Sequence, residues 1–276
     1  MKQRAKLLGP FLYMKKNAVI IVLACSASFS SNADVLSLMV LPDYSTFHLK
    51  ENGRLEVDER GKVNGATLAI AYEKENTLSM ELSSKHRQGV TDYQGFTQFG
   101  MPINTTVRYQ FDELSLAGAW QLNKQFSFTG ALSDIEWQRN IQPSGRVLGL
   151  EETYQWQTLA FGAEIRWFLA KEVIFSVQGS VHHIFNGTVT FNYPNYAGNP
   201  IKLIGINGRG DEISLEYEKC MQNHCWSLNA GRQSYHLQSS DLQTIEINER
   251  RLEIIEPSTE WLIHSVGVGW RFNFNL

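Results

Sequence analysis

Residues 159–181, LAFGAEIRWFLAKEVIFSVQGSV, predict one β-hairpin with two chemically different faces. Apolar side chains alternate with small or polar ones on both sides of a short turn at 170–172, the period expected of strands with one apolar face. In the register that this turn imposes, the apolar residues of the two arms face each other, and Glu164 faces Gln178 on the opposite side. The hairpin therefore has one apolar face and one polar face.

Strands of this kind recur from Asp34 to the end of the chain, with two kinds of connection between them. Short connections near 74–76, 123–125, 170–172 and 220–225 alternate with longer polar segments near 51–63, 90–104, 142–152, 192–208 and 239–257. Short turns at one end and long loops at the other are typical of transmembrane barrels rather than soluble sandwiches. Four turns and five loops predict an all-β, antiparallel transmembrane β-barrel of about ten strands, with eight to twelve as the range.

Composition and charge restrict the class of protein. The chain has 276 residues, of which 43% are hydrophobic and 19% charged, and this excludes a disordered chain. With a net charge of −3, the protein has no overall positive charge that would attract nucleic acid, so we expect no nucleic-acid partner. No apolar run reaches the ~18 residues that a membrane-spanning helix needs.

The N-terminus predicts export. Met14-Lys15-Lys16 supplies a positive region, residues 18–24 are apolar, and the small residues before Asp34 fit a cleavage site. We therefore assign residues 1–33 to a signal peptide, with Met14 as an alternative start, and residues 34–276 to the barrel. The expected location is the cell outer membrane.

Two cysteines remain after removal of this segment. Cys220 and Cys225 are separated by four residues, and in an oxidising compartment this spacing favours a local disulfide across a turn. His224 lies between them, but a second pair of ligands is missing. We therefore expect neither a metal site nor a cofactor.

The final segment, from Gly267 to Leu276, resembles the C-terminal insertion signal of Gram-negative outer-membrane β-barrel proteins. Trp270, Phe272 and Phe274 match its alternating aromatic pattern, whereas Leu276 stands where that family ends in an aromatic residue. The resemblance implies recognition by the barrel-assembly machinery. It also implies a monomer surrounded by outer-membrane lipid and lipopolysaccharide.

The strand count also resembles that of the omptin proteases, whose active site combines acidic residues with an Asp-His couple at the extracellular rim. Here the second long loop offers Asp92 alone, and the stretch from Asp134 to Trp137 is only a loose match. The chain can also be compared with passenger-less autotransporter barrels. The resemblance to that family would imply twelve strands and a helix in the lumen, and no such helix is evident in the sequence.

The hairpin from Thr105 to Ile141 has arms of about seventeen residues, longer than the ~9–11 that cross a membrane. Its apolar phase changes beyond Asp112 and Asp134 in both arms. One interpretation is that the upper half projects above the membrane and turns apolar side chains inward, to line a ligand pocket at the barrel mouth: Val107, Tyr109, Phe111 and Trp137. The alternative is a pair of β-bulges that restore the same face, or packing under a loop.

The predicted lumen side is rich in charge. It carries Glu81, Lys85, Glu164, Arg166, Gln178, His182, Glu212, Glu216 and Arg271. Because buried charges need partners, a cross-linked polar network is the favoured interpretation over an acid–base site. Ser180 and His182 could form a Ser-His pair, but no acid is placed by sequence to orient the histidine.

The sequence favours a non-enzymatic outer-membrane barrel, either structural, small-ligand binding or a narrow channel. No catalytic residues are assigned. The alternatives are a surface hydrolase, either an omptin-like protease or a lipid A-modifying enzyme, and an adhesin, phage receptor or passenger-less autotransporter-type barrel.

Overall fold

A computed structural model describes residues 34–52, 57–74, 77–96, 101–145, 149–192, 200–247 and 250–275. Ten antiparallel strands close into one barrel, in the ring order β1-β12-β9-β8-β7-β6-β5-β4-β3-β2. The barrel strands are β1 (Asp34–Asn52), β2 (Val57–Lys74), β3 (Leu78–Phe96), β4 (Pro102–Gln121), β5 (Phe126–Ile141), β6 (Leu150–Ala170), β7 (Val173–Asn192), β8 (Ile201–Met221), β9 (His224–Leu237) and β12 (Ser258–Asn275). The prediction of ten antiparallel strands is confirmed.

Two short strands, β10 (Gln243–Ile247) and β11 (Arg250–Ile254), form a separate hairpin between β9 and β12. The sequence predicts a loop at 239–257, and this hairpin was not expected. No helix in the described ranges is long and apolar enough to cross a membrane. The predicted signal peptide, residues 1–33, lies outside the described residues.

The register of the strands fixes the geometry of the barrel. We followed directly paired residues from strand to strand around the barrel, starting at Ser37 on β1. The path returns to β1 at Leu49, so the register shift around the closed barrel is twelve residues. A shift of this size in a ring of ten strands corresponds to a strand tilt of about 40°. The tilt brings residues distant in sequence to the same height in the lumen.

The outer surface near the short turns is apolar. Outward side chains there are exposed on every strand, among them Leu116, Phe161 and Trp270, which are 48–60% exposed. We call this band the lipid belt; it comprises the outward residues of 36–44, 66–72, 78–84, 114–120, 126–132, 159–167, 173–181, 213–219, 224–230 and 266–274. These segments approach the ~9–11 residues of a membrane-crossing strand.

Beyond the lipid belt, toward the long loops, the polarity of the barrel is inverted. The strands continue without interruption, but outward residues are now polar and inward residues are apolar and buried. The predicted loop boundaries at 51–63, 90–104 and 192–208 were therefore wrong, because 57–63, 90–96 and 201–208 belong to strands. Their polar residues face solvent from the outside of a sheet, and in the sequence this pattern resembles a loop.

Candidate functional site

An apolar core fills the lumen beyond the lipid belt. Its aromatic members among the described residues come from seven strands: Phe47, Tyr93, Tyr109, Phe111, Trp137, Tyr154, Trp156, Tyr235 and Trp261. Trp137 and Trp261 stack with ring centroids 5.0 Å apart and planes 7° from parallel. Their strands, β5 and β12, stand five places apart in the ring of ten and so face each other across the barrel. The stacked pair therefore spans the full width of the lumen.

The four residues predicted for a ligand pocket all lie in this core. Val107, Tyr109, Phe111 and Trp137 face inward and are 0–4% exposed. The pairing of β4 with β5 is continuous from Val107 to Gln121, so the apolar phase changes without a β-bulge. Rings of neighbouring strands pack against these side chains: Tyr109 lies 4.6 Å from Phe47 between ring centroids. Ligand binding at these residues stays a prediction.

One buried arginine sits on the loop side of the aromatic core. The Arg139 side chain is fully buried and lies over the Trp137 ring, with 5.3 Å between the guanidinium carbon and the ring centroid. Its Nη1 donates to Glu51 (2.8 Å) and Glu152 (2.7 Å), and its Nη2 donates to Glu59 (2.7 Å). We call these four residues the Arg139 cluster. One cation thus links strands β1, β2, β5 and β6.

The Arg139 cluster contains more carboxylates than cations, and burial shifts its titration. Burial alone lowers the pKa of Arg139, but the carboxylates of Glu152, Glu59 and Glu51 outweigh it and hold this pKa well above its ordinary value. Burial raises the pKa of Glu152 to about 7, against the lowering effect of Arg139. Glu152 therefore titrates near neutral pH while Arg139 stays charged.

A second acid joins the Arg139 cluster to the base of the β10–β11 hairpin. The Tyr154 hydroxyl donates to Glu256 Oε1 at 2.6 Å, and Glu152 Oε2 lies 3.5 Å from the same hydroxyl. Burial, followed by the charges of Glu152 and Glu51, raises the pKa of Glu256 well above its ordinary value. The Glu256 amide also donates to Ser240 Oγ across the hairpin base. The hairpin is thus fastened to the lumen.

Sequence reasoning missed the Arg139 cluster. Its ion pairs connect residues 88, 80 and 13 positions apart, and no local pattern links them. One signal was present, because Arg139 falls in the row of odd-numbered inward residues with Trp137. A charged side chain in an apolar row that faces a closed interior requires buried counter-ions.

Within the lipid belt the lumen is polar, and its charges form separate pairs. Lys85 Nζ lies 3.2 Å from Glu113, Arg166 is bonded to Glu164 on its own strand, and Arg271 Nη2 lies 2.6 Å from Glu218. These pairs include four of the residues predicted for the lumen side. Glu113 and Glu218 were not predicted from the sequence, because their partners lie on other strands.

The surroundings of His182 decide whether Ser180 and His182 can act as a nucleophile and its base. The His182 Nε2 lies 3.0 Å from Ser180 Oγ and 3.7 Å from Glu212, so both groups compete for the same ring nitrogen. Its Nδ1 is buried and has no hydrogen-bond partner in the described part of the chain. In a serine hydrolase the acid orients the histidine through the nitrogen opposite the nucleophile. The arrangement therefore lacks the relay that would activate Ser180.

The other predicted residues take positions consistent with their side-chain chemistry. Cys220 and Cys225 are direct cross-strand partners and form a disulfide next to the turn between β8 and β9. The last strand exposes Trp270, Phe272 and Phe274 on the lipid belt, while Leu276 lies outside the described residues. Glu81, Gln178 and Glu216 are partly buried on the lumen side.

The acids considered for an omptin-like site do not meet. Asp92 and Asp134 are both exposed on the outside of the barrel, on strands β3 and β5, and β4 lies between them. The acidic side chains that do approach each other, in the Arg139 cluster, face the interior instead.

The closed ring of ten tilted strands, with its apolar belt and short turns at one end, has counterparts among solved structures. The outer membrane protease OmpT from Escherichia coli superposes with a TM-score of 0.61 at 8% identity, over 90% of this chain and 99% of that one. The fold is that of an outer-membrane β-barrel.

Two further similar structures give lower scores. The translocator domain of the autotransporter NalP from Neisseria meningitidis has a TM-score of 0.44 at 12% identity and covers 91% of this chain and 93% of its own. Ail, the attachment invasion locus protein of Yersinia pestis, has a TM-score of 0.33 at 12% identity and covers 88% and 100%. No protein-family model and no curated protein matches the sequence.

Proposed function

We propose that the chain is a sealed, non-conducting barrel of the outer membrane that acts through its outer surface and loops rather than by transport. The short turns then face the periplasm and the loop end faces the outside, the orientation usual for such barrels. The observation that carries this proposal is the stacking of Trp137 on Trp261 across the lumen, in a core whose members are shielded from water.

The distribution of polar groups supports this proposal. A conducting pore needs a continuous polar path, whereas here apolar rings interrupt the lumen between two polar regions. The Arg139 cluster lies on the outer side of these rings and the paired charges of Lys85 and Glu113 on the inner side. The cations of both regions form ion pairs within the protein, as expected of a structural plug.

Two measurements test the proposal. Membrane fractionation combined with heat-modifiable gel mobility should place the folded barrel in the outer membrane as a monomer. Liposomes that contain the purified barrel should then swell no faster in isotonic sugar than empty liposomes. Rapid swelling with small sugars would contradict a sealed lumen, and recovery in the inner membrane or the soluble fraction would contradict the location.

A second candidate is a surface hydrolase. Two observations favour it: Glu152 and Glu256 share the Tyr154 hydroxyl near the loop end, and the fold is similar to that of a structure described as a protease. Neighbouring carboxyl groups whose pKa values burial raises can serve as general acid and base. Release of fluorescent peptide fragments by the wild type but not by Glu152→Gln would support this function, and no turnover of peptides or lipopolysaccharide would exclude it.

A further inference from the structure

The disulfide between Cys220 and Cys225 lies on the lumen side of β8 and β9, next to the turn that joins them. Its two sulfur atoms differ in their access to solvent. Cys225 is 2% exposed, whereas Cys220 is only partly buried and is followed by the exposed residues 221–224. A thiol in solution therefore reaches the Cys220 sulfur more easily than the Cys225 sulfur.

The surroundings of the two sulfur atoms also differ in charge. Cys225 Sγ accepts two hydrogen bonds, from Asn273 Nδ2 at 3.6 Å and from Arg271 Nη2 at 3.9 Å. Cys220 Sγ instead lies 3.4 Å from the carboxylate atom Oε1 of Glu218. Because a neighbouring guanidinium stabilises a thiolate and a carboxylate does not, negative charge is favoured on Cys225 rather than on Cys220.

The two donors to Cys225 are held in place, and one of them has a donor to spare. Ser37 donates to Asn273 Oδ1 at 2.8 Å, and this bond leaves the amide nitrogen of Asn273 free to point to the sulfur. Arg271 Nη2 also donates to Glu218 at 2.6 Å, but Arg271 Nε is buried and has no hydrogen-bond partner among the described residues. A guanidinium with an unused buried donor is stabilised by a further negative charge beside it.

We propose that this disulfide is a site of thiol–disulfide exchange with a defined direction: an external thiolate attacks Cys220 Sγ, and Cys225 leaves as a thiolate beside Arg271 and Asn273. A new S–S bond forms between the reagent and Cys220. The Cys220–Cys225 bond breaks, and its electron pair stays on Cys225 Sγ. Exposure and charge favour the same direction, since exchange is faster at the accessible sulfur whose partner leaves as the more stable thiolate.

A dithiol completes the reaction. Its second thiolate attacks the reagent sulfur of the mixed disulfide and displaces Cys220. The reagent is thereby oxidised to a disulfide, both cysteines are reduced, and the two protons of the reagent pass to them. The chemical class of the partner is thus a soluble thiol, either a small molecule or a protein dithiol of the thioredoxin type.

Arg271 also decides between thiol exchange and metal binding. Glu218, Cys220 and Cys225 offer three ligand atoms within 4.8 Å of one another, which after reduction of the disulfide could hold a metal ion. The Arg271 guanidinium is already bonded to Glu218 and lies beside Cys225 Sγ, so it would repel a metal cation. The same ion pair balances the charge of Glu218, which would otherwise repel a thiolate that approaches Cys220.

The compartment of the partner rests on the proposed orientation of the barrel, which places the short turns in the periplasm. The direction of the exchange does not depend on it, because the disulfide and its neighbours belong to this chain alone.

The test treats the folded, oxidised barrel in detergent with reduced glutathione and quenches the reaction with N-ethylmaleimide. Fragment-ion mass spectrometry then locates both labels. We expect glutathione on Cys220 and maleimide on Cys225. Glutathione on Cys225, or equally on both cysteines, would overturn the proposal. A disulfide that reacts only after the barrel is unfolded in guanidinium would also overturn it.

Variants measure the contribution of the leaving thiolate. Reduction by dithiothreitol should be slower in Arg271→Gln, by on the order of tenfold, because the Cys225 thiolate loses its cation. Lys85→Gln removes the cation of a separate lumen ion pair on β3 and β4; as the matched control it should react at the wild-type rate. Equal rates in Arg271→Gln and Lys85→Gln would contradict the role of Arg271.

A double variant separates the two effects of Arg271. Arg271→Gln also leaves the Glu218 carboxylate without its cation, and Arg271→Gln/Glu218→Gln removes both charges. The double variant should stay slow. Recovery of the wild-type rate would show that Glu218 merely repels the reagent, and this would overturn the assignment of Cys225 as the stabilised leaving group.

Heat-modifiable gel mobility establishes that each protein is folded. If Arg271→Gln does not fold, the position of glutathione on the wild-type barrel still decides the question. Reduction by a thioredoxin-type protein as well as by glutathione would extend the site to protein partners, and reaction with glutathione alone would restrict it to small thiols. Liposome swelling has no bearing on this outcome: a barrel that conducts but takes glutathione on Cys220 would contradict the sealed lumen and support the exchange site.

Discussion

Trp137 and Trp261 stack at 5.0 Å between strands that face each other across the barrel. Most contacts in a barrel join neighbouring strands, but this pair joins opposite walls through the centre. The lumen is consequently divided: a hydrophobic core like that of a soluble protein occupies the loop end, and a polar interior occupies the part enclosed by the lipid belt. The same strands serve both regions because the polarity of their two faces is exchanged at the edge of the belt.

Replacement of Trp261 tests how much the aromatic core stabilises the barrel. Trp261 is 2% exposed and contacts the rings of Phe47, Phe111, Trp137, Trp156 and Tyr235. We expect Trp261→Ala to lower the free energy of unfolding by about 3–5 kcal/mol, because the large cavity cannot collapse between rigid strands. Guanidinium titration of the refolded barrel in detergent micelles measures this change.

A lipid-facing tryptophan provides the control for this substitution. Trp120 is 58% exposed on the outer surface, and its replacement by alanine removes little packing inside the protein. A loss in Trp120→Ala as large as that in Trp261→Ala would show that the lumen core has no special role in stability.

Removal of the Arg139 charge should destabilise the barrel in a pH-dependent manner. Arg139→Met leaves Glu51, Glu59 and Glu152 without their shared cation, and the expected cost at pH 7.5 is about 3–5 kcal/mol. Arg139 lowers the pKa of Glu152, so without this cation the Glu152 carboxyl group binds its proton more tightly in the folded state. The difference between variant and wild type should therefore shrink as the pH falls to 5.

The exposed residue Arg108 is a suitable comparison for Arg139, since both lie beyond the lipid belt. Arg108→Met should change the unfolding free energy by less than about 0.5 kcal/mol at either pH. A pH-independent loss in Arg139→Met would mean that packing, rather than charge neutralisation, is what Arg139 contributes.

Glu152 should make the barrel less stable as the pH rises toward neutrality. Its pKa is raised from 4.5 to about 7 in the folded protein, so the folded state binds more protons than the unfolded state between these values. The linkage relation then requires stability to fall as the pH rises through this window, by a total on the order of 3 kcal/mol above pH 7. Below pH 4.5 this penalty is absent.

The corresponding experiment compares the guanidinium concentration at the midpoint of unfolding at pH 5 and at pH 8. Glu152→Gln cannot titrate, so its midpoint should vary less between the two pH values than that of the wild type. An identical pH dependence in both proteins would assign the effect to another group.

The Tyr154 hydroxyl should control the attachment of the β10–β11 hairpin. Tyr154→Phe removes the hydrogen bond to Glu256 and leaves a buried carboxyl group with one partner fewer, at a cost of about 1–3 kcal/mol. We expect faster tryptic cleavage after Arg250 or Arg251 in the variant, while the barrel stays folded by gel mobility. Unchanged cleavage would mean that the hairpin is held by its other contacts.

The sequence predicted the architecture because lipid and water impose a strict alternation. The two-residue period of apolar side chains and the alternating lengths of the connections were sufficient to predict ten strands. The change in apolar phase beyond Asp112 and Asp134 predicted that Phe111 and Trp137 face the inside of the barrel. Where the outward face turned polar, however, the same criterion failed. Residues 57–63, for example, resemble a loop because their exposed side chains are charged, although Val57 and Val63 are buried.

The candidate site was less predictable because its contacts depend on barrel closure. The register shift of twelve residues around the barrel determines which inward side chains lie at the same level of the lumen. This shift cannot be read from any local sequence pattern. Trp261 was therefore not connected with Trp137, nor Glu59 with Arg139, although each residue lies in a recognisable strand.

Single-channel recording in planar bilayers tests the sealed lumen most directly. The wild-type barrel, shown to be folded by heat-modifiable mobility, should produce no steady conductance in 1 M KCl, a salt concentration of the order used to reveal even narrow pores by swamping fixed charge. The double variant Trp137→Gly/Trp261→Gly should show openings, because it removes the two rings that bridge the lumen. A steady conductance in the wild type that these substitutions leave unchanged would contradict the account.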